Sequence, residues 1–211
     1  MSDNHSFVTP GPAGLAALAV ACFGFGAIFL GQVSLAGYPL LAAWLIGGGI
    51  VQYTTAVIEL KDGNITGGNV FLFFAAFFMF GAALSLISKF LMIVLVKQGL
   101  IDPILFDFSR YKIVEGWCWM AGASFLTIVT PAYIKNSPRP LLGIVVLLDI
   151  ALWIIALLDM RLLSDPDKFW HHIVAYLLIA AGWIGIYLSG AIVNNAIYGK
   201  IVMPLFTPPE K

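Results

Sequence analysis

The first long apolar segment of the chain is residues 13–33, AGLAALAVACFGFGAIFLGQV, which contains no acidic or basic side chain. A helix needs about 20 apolar residues to cross the hydrocarbon core of a bilayer. The same composition extends over the whole chain, because 61% of its 211 residues are apolar and only 10% are charged. Soluble domains carry roughly 25% charged residues, so we predict an integral membrane protein.

Five further apolar runs follow the first, and polar turns separate them. Together they predict six membrane-spanning helices, at about residues 13–33, 39–60, 70–96, 113–134, 141–160 and 170–198. The third run exceeds one hydrocarbon thickness, so we expect its span to end near Ser88 and to continue as an amphipathic extension to Lys97. No run alternates apolar and polar residues as a barrel strand does. We therefore predict an all-α bundle, since helices satisfy their own backbone hydrogen bonds in lipid.

The predicted organisation is one membrane domain with short ends. Residues 1–12 form a polar N-terminal segment, residues 13–198 the six-helix unit, and residues 199–211 a C-terminal tail. No Lys or Arg precedes Lys61, so the first helix lacks the positive flank of a cleavable signal peptide, and we expect it to be retained. The predicted loops carry five basic residues on each side of the membrane, which leaves the orientation undecided by the positive-inside rule.

Charge and motif content exclude several functions. Eleven basic and eleven acidic residues cancel, so we expect no nucleic-acid partner. The loops contain no nucleophile–base pair, phosphate loop or metal-ligand spacing, so we predict neither an enzyme nor a metal or cofactor site. Cys22 and Cys118 both lie in apolar runs, where a thiol usually behaves as a small hydrophobe.

Polar side chains in or beside the spans are the candidate functional groups, because each costs free energy in lipid. Thr9 precedes span one as a candidate helix cap, and the first-turn amides would hold a carboxylate if that turn lies inside the bundle. Glu59 and Asn64 bracket a tight turn, either as interfacial caps or as functional groups. Asp149, in span five, is either a proton carrier or one partner of a helix–helix hydrogen bond. The remaining candidates of this kind are Gln52, Asn69, Asn194 and Asn195.

Three motifs that lie far apart in the sequence resemble those of a single protein family. The heptapeptide TPGPAGL, residues 9–15, is similar to Asn-Pro-Ala-Pro-Leu-Gly-Leu and matches it at Pro10, Pro12, Gly14 and Leu15. The second span and its turn contain paired glycines at 48 and 49, then Gln52, Glu59, Gly63 and Asn64. The last helix and tail contain Asn195 and the run GKIVMP at residues 199–204. In this order, the motifs resemble those of the acetate uptake transporter family, also called succinate-acetate permeases.

The resemblance implies a six-helix protomer that carries acetate, other small monocarboxylates and sometimes succinate across the cytoplasmic membrane, by proton coupling or channel-like passage. It implies a homohexamer with one pore in each protomer and both termini in the cytoplasm. Family pores are narrowed by bulky apolar side chains, and the motif spacing transfers this role to Leu18, Phe74 and Leu148.

This chain also departs from the family pattern. Thr9 replaces an asparagine, Leu18 lacks an aromatic ring, and Phe74 lacks a phenolic hydroxyl that relatives often carry. Ile192 occupies a position that is often glutamate. The substrate range therefore need not be that of the bacterial members.

The predicted mechanism combines the residues with the resemblance. We expect a carboxylate to enter a pore lined by spans one, two, three and five, to meet Thr9 and the amides that follow it, and to cross an apolar neck. Because a bare anion is costly there, we expect it to cross with a proton, held by Asp149 or Glu59. Two alternatives remain, a channel for another small solute such as formate, water or ammonia, and a structural or sensory membrane protein without transport.

Overall fold

The computed structural model describes residues 9–105, 107 and 110–207, so most of the predicted N-terminal segment and the last tail residues lie outside the described part. Six helical spans in this part are long and apolar enough to cross a membrane, which confirms the predicted number. They are α1 (Gly11–Phe29), α2 (Gly37–Lys61), a third span of α3 (Ile65–Phe73), a π-helical segment (Phe74–Gly81) and α4 (Ala82–Lys97), then α5 (Ile113–Asn136), α6 (Arg139–Asp159) and α7 (Phe169–Tyr198). Pro103–Leu105 forms a short 3₁₀ turn.

The third span differs most from its prediction. It begins at Ile65, five residues before the predicted start, and continues as helix through Ser88 to Lys97, the residue at which the predicted amphipathic extension ends. The early start has a local cause: the Asn64 side chain accepts a hydrogen bond from the amide of Gly67 and caps the first turn of α3. With 33 residues the span is about 50 Å long, so it extends beyond a hydrocarbon core of about 30 Å.

Helix α7 lies at the centre of the packing, against α1 on one side and α6 on the other. Helix α5 packs on α6, and α2 packs on α1 and on the third span. Small buried residues line these contacts, among them Ala17, Ala21, Ala181 and Gly182. Small residues allow close approach where lipid gives helices little apolar reason to associate.

The turn before α7 is held by the carboxylate of Asp165. Its two oxygens accept hydrogen bonds from the backbone amides of Trp170 and His171, each at 3.0 Å, and Oδ2 lies 2.5 Å from Nδ1 of His171. Burial alone would raise the pKa of Asp165, but the hydrogen bonds from His171 and Trp170 and the electrostatic effect of His171 lower it below its ordinary value.

The glycine at the crossing of α5 and α6 gives a test of this packing. A methyl group on Gly116 would lie 2.7 Å from the backbone nitrogen of Met160 and 2.9 Å from the carbonyl oxygen of Ala156. Because backbone atoms cannot move aside easily, we expect Gly116→Ala to lower the free energy of unfolding by about 1–3 kcal/mol, measured by denaturation in detergent. Gly190→Ala is the control, since nothing lies within 4 Å of its added methyl group. Equal losses in both variants would contradict this account of the α5–α6 contact.

The Asp165 turn predicts a pH dependence. A carboxyl group whose pKa is lowered in the folded protein stabilises it at pH values above the unfolded pKa, about 3.9, and this contribution is lost as pH falls through the lowered value. We therefore expect Asp165→Asn to lower the thermal midpoint at neutral pH and to leave a smaller further decrease on acidification than in the wild type. Asp167→Asn, at an exposed neighbouring position, should follow the wild-type profile, and an identical profile for Asp165→Asn would disprove the role of this turn.

Candidate functional site

A cavity of about 190 Å³ lies at the end of the bundle where α1 begins and α2 ends. Eight residues predicted from the sequence line it, namely Thr9, Leu15, Leu18, Gln52, Glu59, Asn64, Phe74 and Leu148. Every span contributes to the lining, so the expected set of spans one, two, three and five was incomplete. Leu126 and Tyr133 enter from span four (α5), and Leu188 and Ile192 from span six (α7).

The mouth of this cavity is built around the carboxylate of Glu59, which is 7% exposed. Its Oε1 accepts a hydrogen bond of 2.6 Å from the Thr9 hydroxyl, and its Oε2 accepts one of 2.5 Å from the side-chain amide of Asn64. Asn64 can do this because its own oxygen faces the amide of Gly67 at the start of α3. One carboxylate therefore joins the start of α1 to the turn between α2 and α3.

The sequence suggested Thr9 as the N-cap of α1, and the structure shows that it is not. Pro10 occupies the cap position, and the Thr9 hydroxyl accepts from the amide of Gly11 at 3.2 Å while it donates to Glu59. The hydroxyl uses both its donor and its acceptor capacity in this way.

The amides of the first turn of α1 are not available to a carboxylate, which corrects a second expectation. Pro10 and Pro12 have no amide hydrogen, and the amide of Gly11 is bound to Thr9. The amides of Ala13 and Gly14 both donate to the carbonyl of Pro10, at 3.0 and 3.2 Å. The proline-rich motif thus consumes the donors that a free helix N-terminus would offer.

The motif instead docks α1 onto its neighbours through backbone carbonyls. The side chain of Gln52 donates to the carbonyl of Gly14 at 3.3 Å, and Ser189 of α7 donates to the carbonyl of Pro12 at 2.8 Å. Gly14 itself has no room for a side chain, since an added methyl group would lie 2.7 Å from the ring of Phe71. Pro12 and Gly14 therefore position the site without lining it.

Gln52 lines the cavity as well. Its side chain is fully buried, and its amide nitrogen is engaged by Gly14. Its Oε1 atom is buried without a hydrogen-bond donor within reach among the described residues. A buried amide oxygen of this kind is satisfied only by a donor group, so a species with an O–H or N–H is favoured beside it.

Bulky apolar side chains close the inner end of the cavity. Leu18, Phe74 and Leu148 are the lining residues of their helices farthest from Thr9, and they are 6%, 3% and 3% exposed. The ring of Phe78, one turn further along the third span, packs against Phe74 at 5.2 Å between centroids. The positions at which the resemblance predicted a narrow pore are thus together in one apolar layer.

Two predicted residues lie elsewhere. Asp149 is on the side of α6 that faces α5, partly exposed, where it accepts a hydrogen bond from the Thr127 hydroxyl at 2.9 Å. Asn195 folds the tail back, because its side chain donates to the carbonyl of Met203 and accepts from the amides of Val202 and Met203. Both form polar contacts between segments, and neither is in the cavity lining.

Tyr133 is a polar lining residue that the sequence patterns did not single out. It is 3% exposed and lies near the end of α5, at the level of Glu59. The sequence feature that could have identified it is a phenol group near the polar end of span four, shortly after Pro131. The polar candidates predicted from the sequence were mainly amide and carboxylate side chains, and this hydroxyl was not among them.

Comparison with known proteins gives one informative result. No family model matches the sequence, and neither does any curated protein. Among solved structures, the chain is similar to one described as the bacterial acetate channel SatP, with a TM-score of 0.69 and 20% sequence identity over 94% of this chain and 98% of that chain. The resemblance predicted from the three motifs is thereby confirmed at the level of the fold: the protein has the six-helix membrane fold of that channel.

Proposed function

We propose that the protein is a membrane pore for acetate and other small monocarboxylates, carried together with a proton. The observation that carries the proposal is the cavity of about 190 Å³, with a polar mouth and an apolar neck, inside a bundle that shares its fold with an acetate channel. Pockets for drug-sized ligands have volumes of about 300–1,000 Å³, so this cavity suits a ligand of a few heavy atoms.

The apolar lining favours acetate over formate, water or ammonia. Leu15, Leu18 and Phe71 offer a methyl group an apolar surface, whereas formate, water and ammonia have no methyl group to bury. A channel for one of these other solutes is the alternative, because each is smaller than acetate and would fit through the same neck. The resemblance extends the proposal to succinate as a second substrate and to a homohexamer in the cytoplasmic membrane, with one pore per protomer and cytoplasmic termini.

The polar groups of the cavity favour passage as the neutral acid. A bare carboxylate meets a large desolvation cost in the layer of Leu18, Phe74 and Leu148. Before that layer it would also meet two acceptors, the Gln52 oxygen and the Glu59 carboxylate, to which it has nothing to donate. The O–H of a carboxylic acid matches both acceptors.

Glu59 is the one carboxyl group among the described residues that line this cavity, so we assign the exchange of the proton to it. Its two oxygens accept hydrogen bonds from Thr9 and Asn64. Protonation replaces one of these acceptors by a donor, so it weakens a link between the start of α1 and the α2–α3 turn. Proton binding and the shape of the mouth are coupled in this way. Asp149, the other proton-carrier candidate, is not in the lining.

The central test is uptake of radiolabelled acetate into liposomes that contain the purified protein, with and without an inward proton gradient. We expect saturable uptake above that of empty liposomes, faster with the gradient, and inhibited by excess propionate more strongly than by formate. Lactate and succinate in the same competition define the size limit. Uptake that ignores the gradient would contradict proton coupling, and uptake equal to that of empty liposomes would overturn the acetate assignment.

Glu59→Gln tests the coupling group, with Asp149→Asn as a matched control of the same chemistry. The first variant removes a carboxylate that lines the cavity, and the second removes one that bonds to Thr127 of α5 outside the cavity lining. We expect Glu59→Gln to abolish the acceleration by the proton gradient while Asp149→Asn keeps it, measured in the same liposome assay. If both variants keep the acceleration, Glu59 is not the coupling group.

A further inference from the structure

A second cavity of about 80 Å³ lies at the opposite end of the bundle, where α1 and α6 end and α2 and α5 begin. No residue of the described part lines both cavities. The apolar wall of the second cavity includes Phe25, Phe78 and Trp119, and the Phe78 ring that packs on Phe74 therefore lies between the two cavities. The two spaces follow one another along the bundle, with the apolar neck between them.

The charged side chains of this second cavity are not equivalent. Lys112 pairs with Asp159 at 3.1 Å, and although burial would lower the pKa of Lys112, the nearby carboxylates of Asp159 and Glu115 raise it above its ordinary value. Glu115 accepts a hydrogen bond of 2.8 Å from Ser85. These groups already have partners in the protein.

Lys89 differs from them. In the described part of the chain no carboxylate lies within 4 Å of its ammonium group, which faces Tyr38 instead, 3.5 Å from the hydroxyl oxygen and 5.0 Å from the ring centroid. A hydrogen bond of 3.5 Å is at the outer limit of useful geometry, and an ammonium group has three donors. Most of its capacity is therefore unused.

An ammonium group without a carboxylate partner costs free energy at the position of Lys89, unless it binds a ligand there. It is half-buried in the third span, eight residues before the end of α4, at the level where the neighbouring helices end. Ionisable residues within membrane spans are expensive and tend to mark pathways for ions or substrates.

We propose that Lys89 binds the carboxylate of the permeant acid at this second mouth of the pore. Because the Tyr38 hydroxyl accepts from Lys89, its own hydrogen is oriented away from the lysine and is able to donate to a second carboxylate oxygen. The two mouths are then complementary: this one offers donors to the anion, and the mouth at Glu59 offers acceptors to the neutral acid. The inference rests on the proposed function and adds an anion site to it.

The first test compares Lys89→Gln with Lys97→Gln, an exposed lysine of the same helix, in equilibrium exchange of labelled acetate across phosphatidylcholine vesicles. We expect Lys89→Gln to raise the half-saturating acetate concentration about tenfold, the effect of one charge-assisted hydrogen bond at a half-exposed site, with little change in maximal rate. Lys97→Gln and Lys89→Arg should stay within about twofold of the wild type, since neither loses the cation at this mouth. An unchanged half-saturation in Lys89→Gln overturns the proposal.

A second test changes the charge at position 89 only after the protein has folded. Lys89→Cys is made in a Cys118→Ser background, because Cys118 is an exposed thiol whereas Cys22 is buried. The folded protein is then treated with a positively or a negatively charged methanethiosulfonate reagent. We expect the positive reagent to lower the half-saturating concentration and the negative reagent to raise it. Equal effects of the two reagents, or the same responses in Lys97→Cys, contradict an anion site at Lys89.

Two further arms distinguish an anion site at Lys89 from a lipid contact and from a failure of transport itself. Wild-type flux alone decides the proposed function. If it is absent, saturation-transfer NMR of acetate with detergent-purified wild type and Lys89→Gln still tests binding, and equal signals from the two overturn the site. An effect of Lys89→Gln that occurs only when vesicles contain phosphatidylglycerol would show that the lysine binds a lipid phosphate, which also overturns the proposal.

Discussion

The rest of the structure depends on the docking of the first turn of α1 inside the bundle. Backbone groups at a helix start need partners, and lipid supplies none. Here the prolines remove two donors, and the carbonyls of Pro12 and Gly14 accept from Ser189 and Gln52 of two different helices. Without these contacts, the turn would have to move toward water, and the cavity would lose one wall. The same turn carries Thr9 to Glu59, so the constraint that fixes the helix also shapes the mouth.

The number and kind of the spans could be predicted from the sequence because they follow from length and composition alone. A run of about 20 apolar residues without charge has few alternatives to a membrane helix. The boundaries depend on finer contacts. Ile65 to Asn69 resembled a polar turn because of its threonine and glycines, and it is helical because Asn64 caps it. By contrast, the length of the third apolar run was enough to predict that its helix continues past Ser88 to Lys97.

Eight of the candidate residues line one cavity, because they came from a resemblance that preserves three-dimensional position. Their contacts could not be predicted in the same way. Asp149 was singled out by hydropathy alone, which cannot tell a residue that faces a cavity from one that bonds to the next helix. Asn195 was part of a motif, but its role is local, in folding the tail. We expected free amides after Thr9 because helix starts in general have them. In this turn Pro10 and Pro12 have no amide hydrogen, so the expectation fails.

On the proposed function, the layer of aromatic side chains between the two cavities is where a permeating charge would meet the largest electrostatic cost. Phe78 is 2% exposed and meets Phe25 and Trp119 as well as Phe74, with centroid distances of 5.2 to 6.0 Å. The three phenylalanine rings of this layer have no polar atom to replace the hydration shell of an anion, so a charge beside them is opposed far more strongly than a neutral molecule of equal size. On the proposed path, a carboxylate that binds Lys89 must therefore gain a proton before it passes Phe78, and the acid that reaches Gln52 and Glu59 meets acceptors for that proton. The different chemistry of the two mouths is thus what a dry neck between them requires.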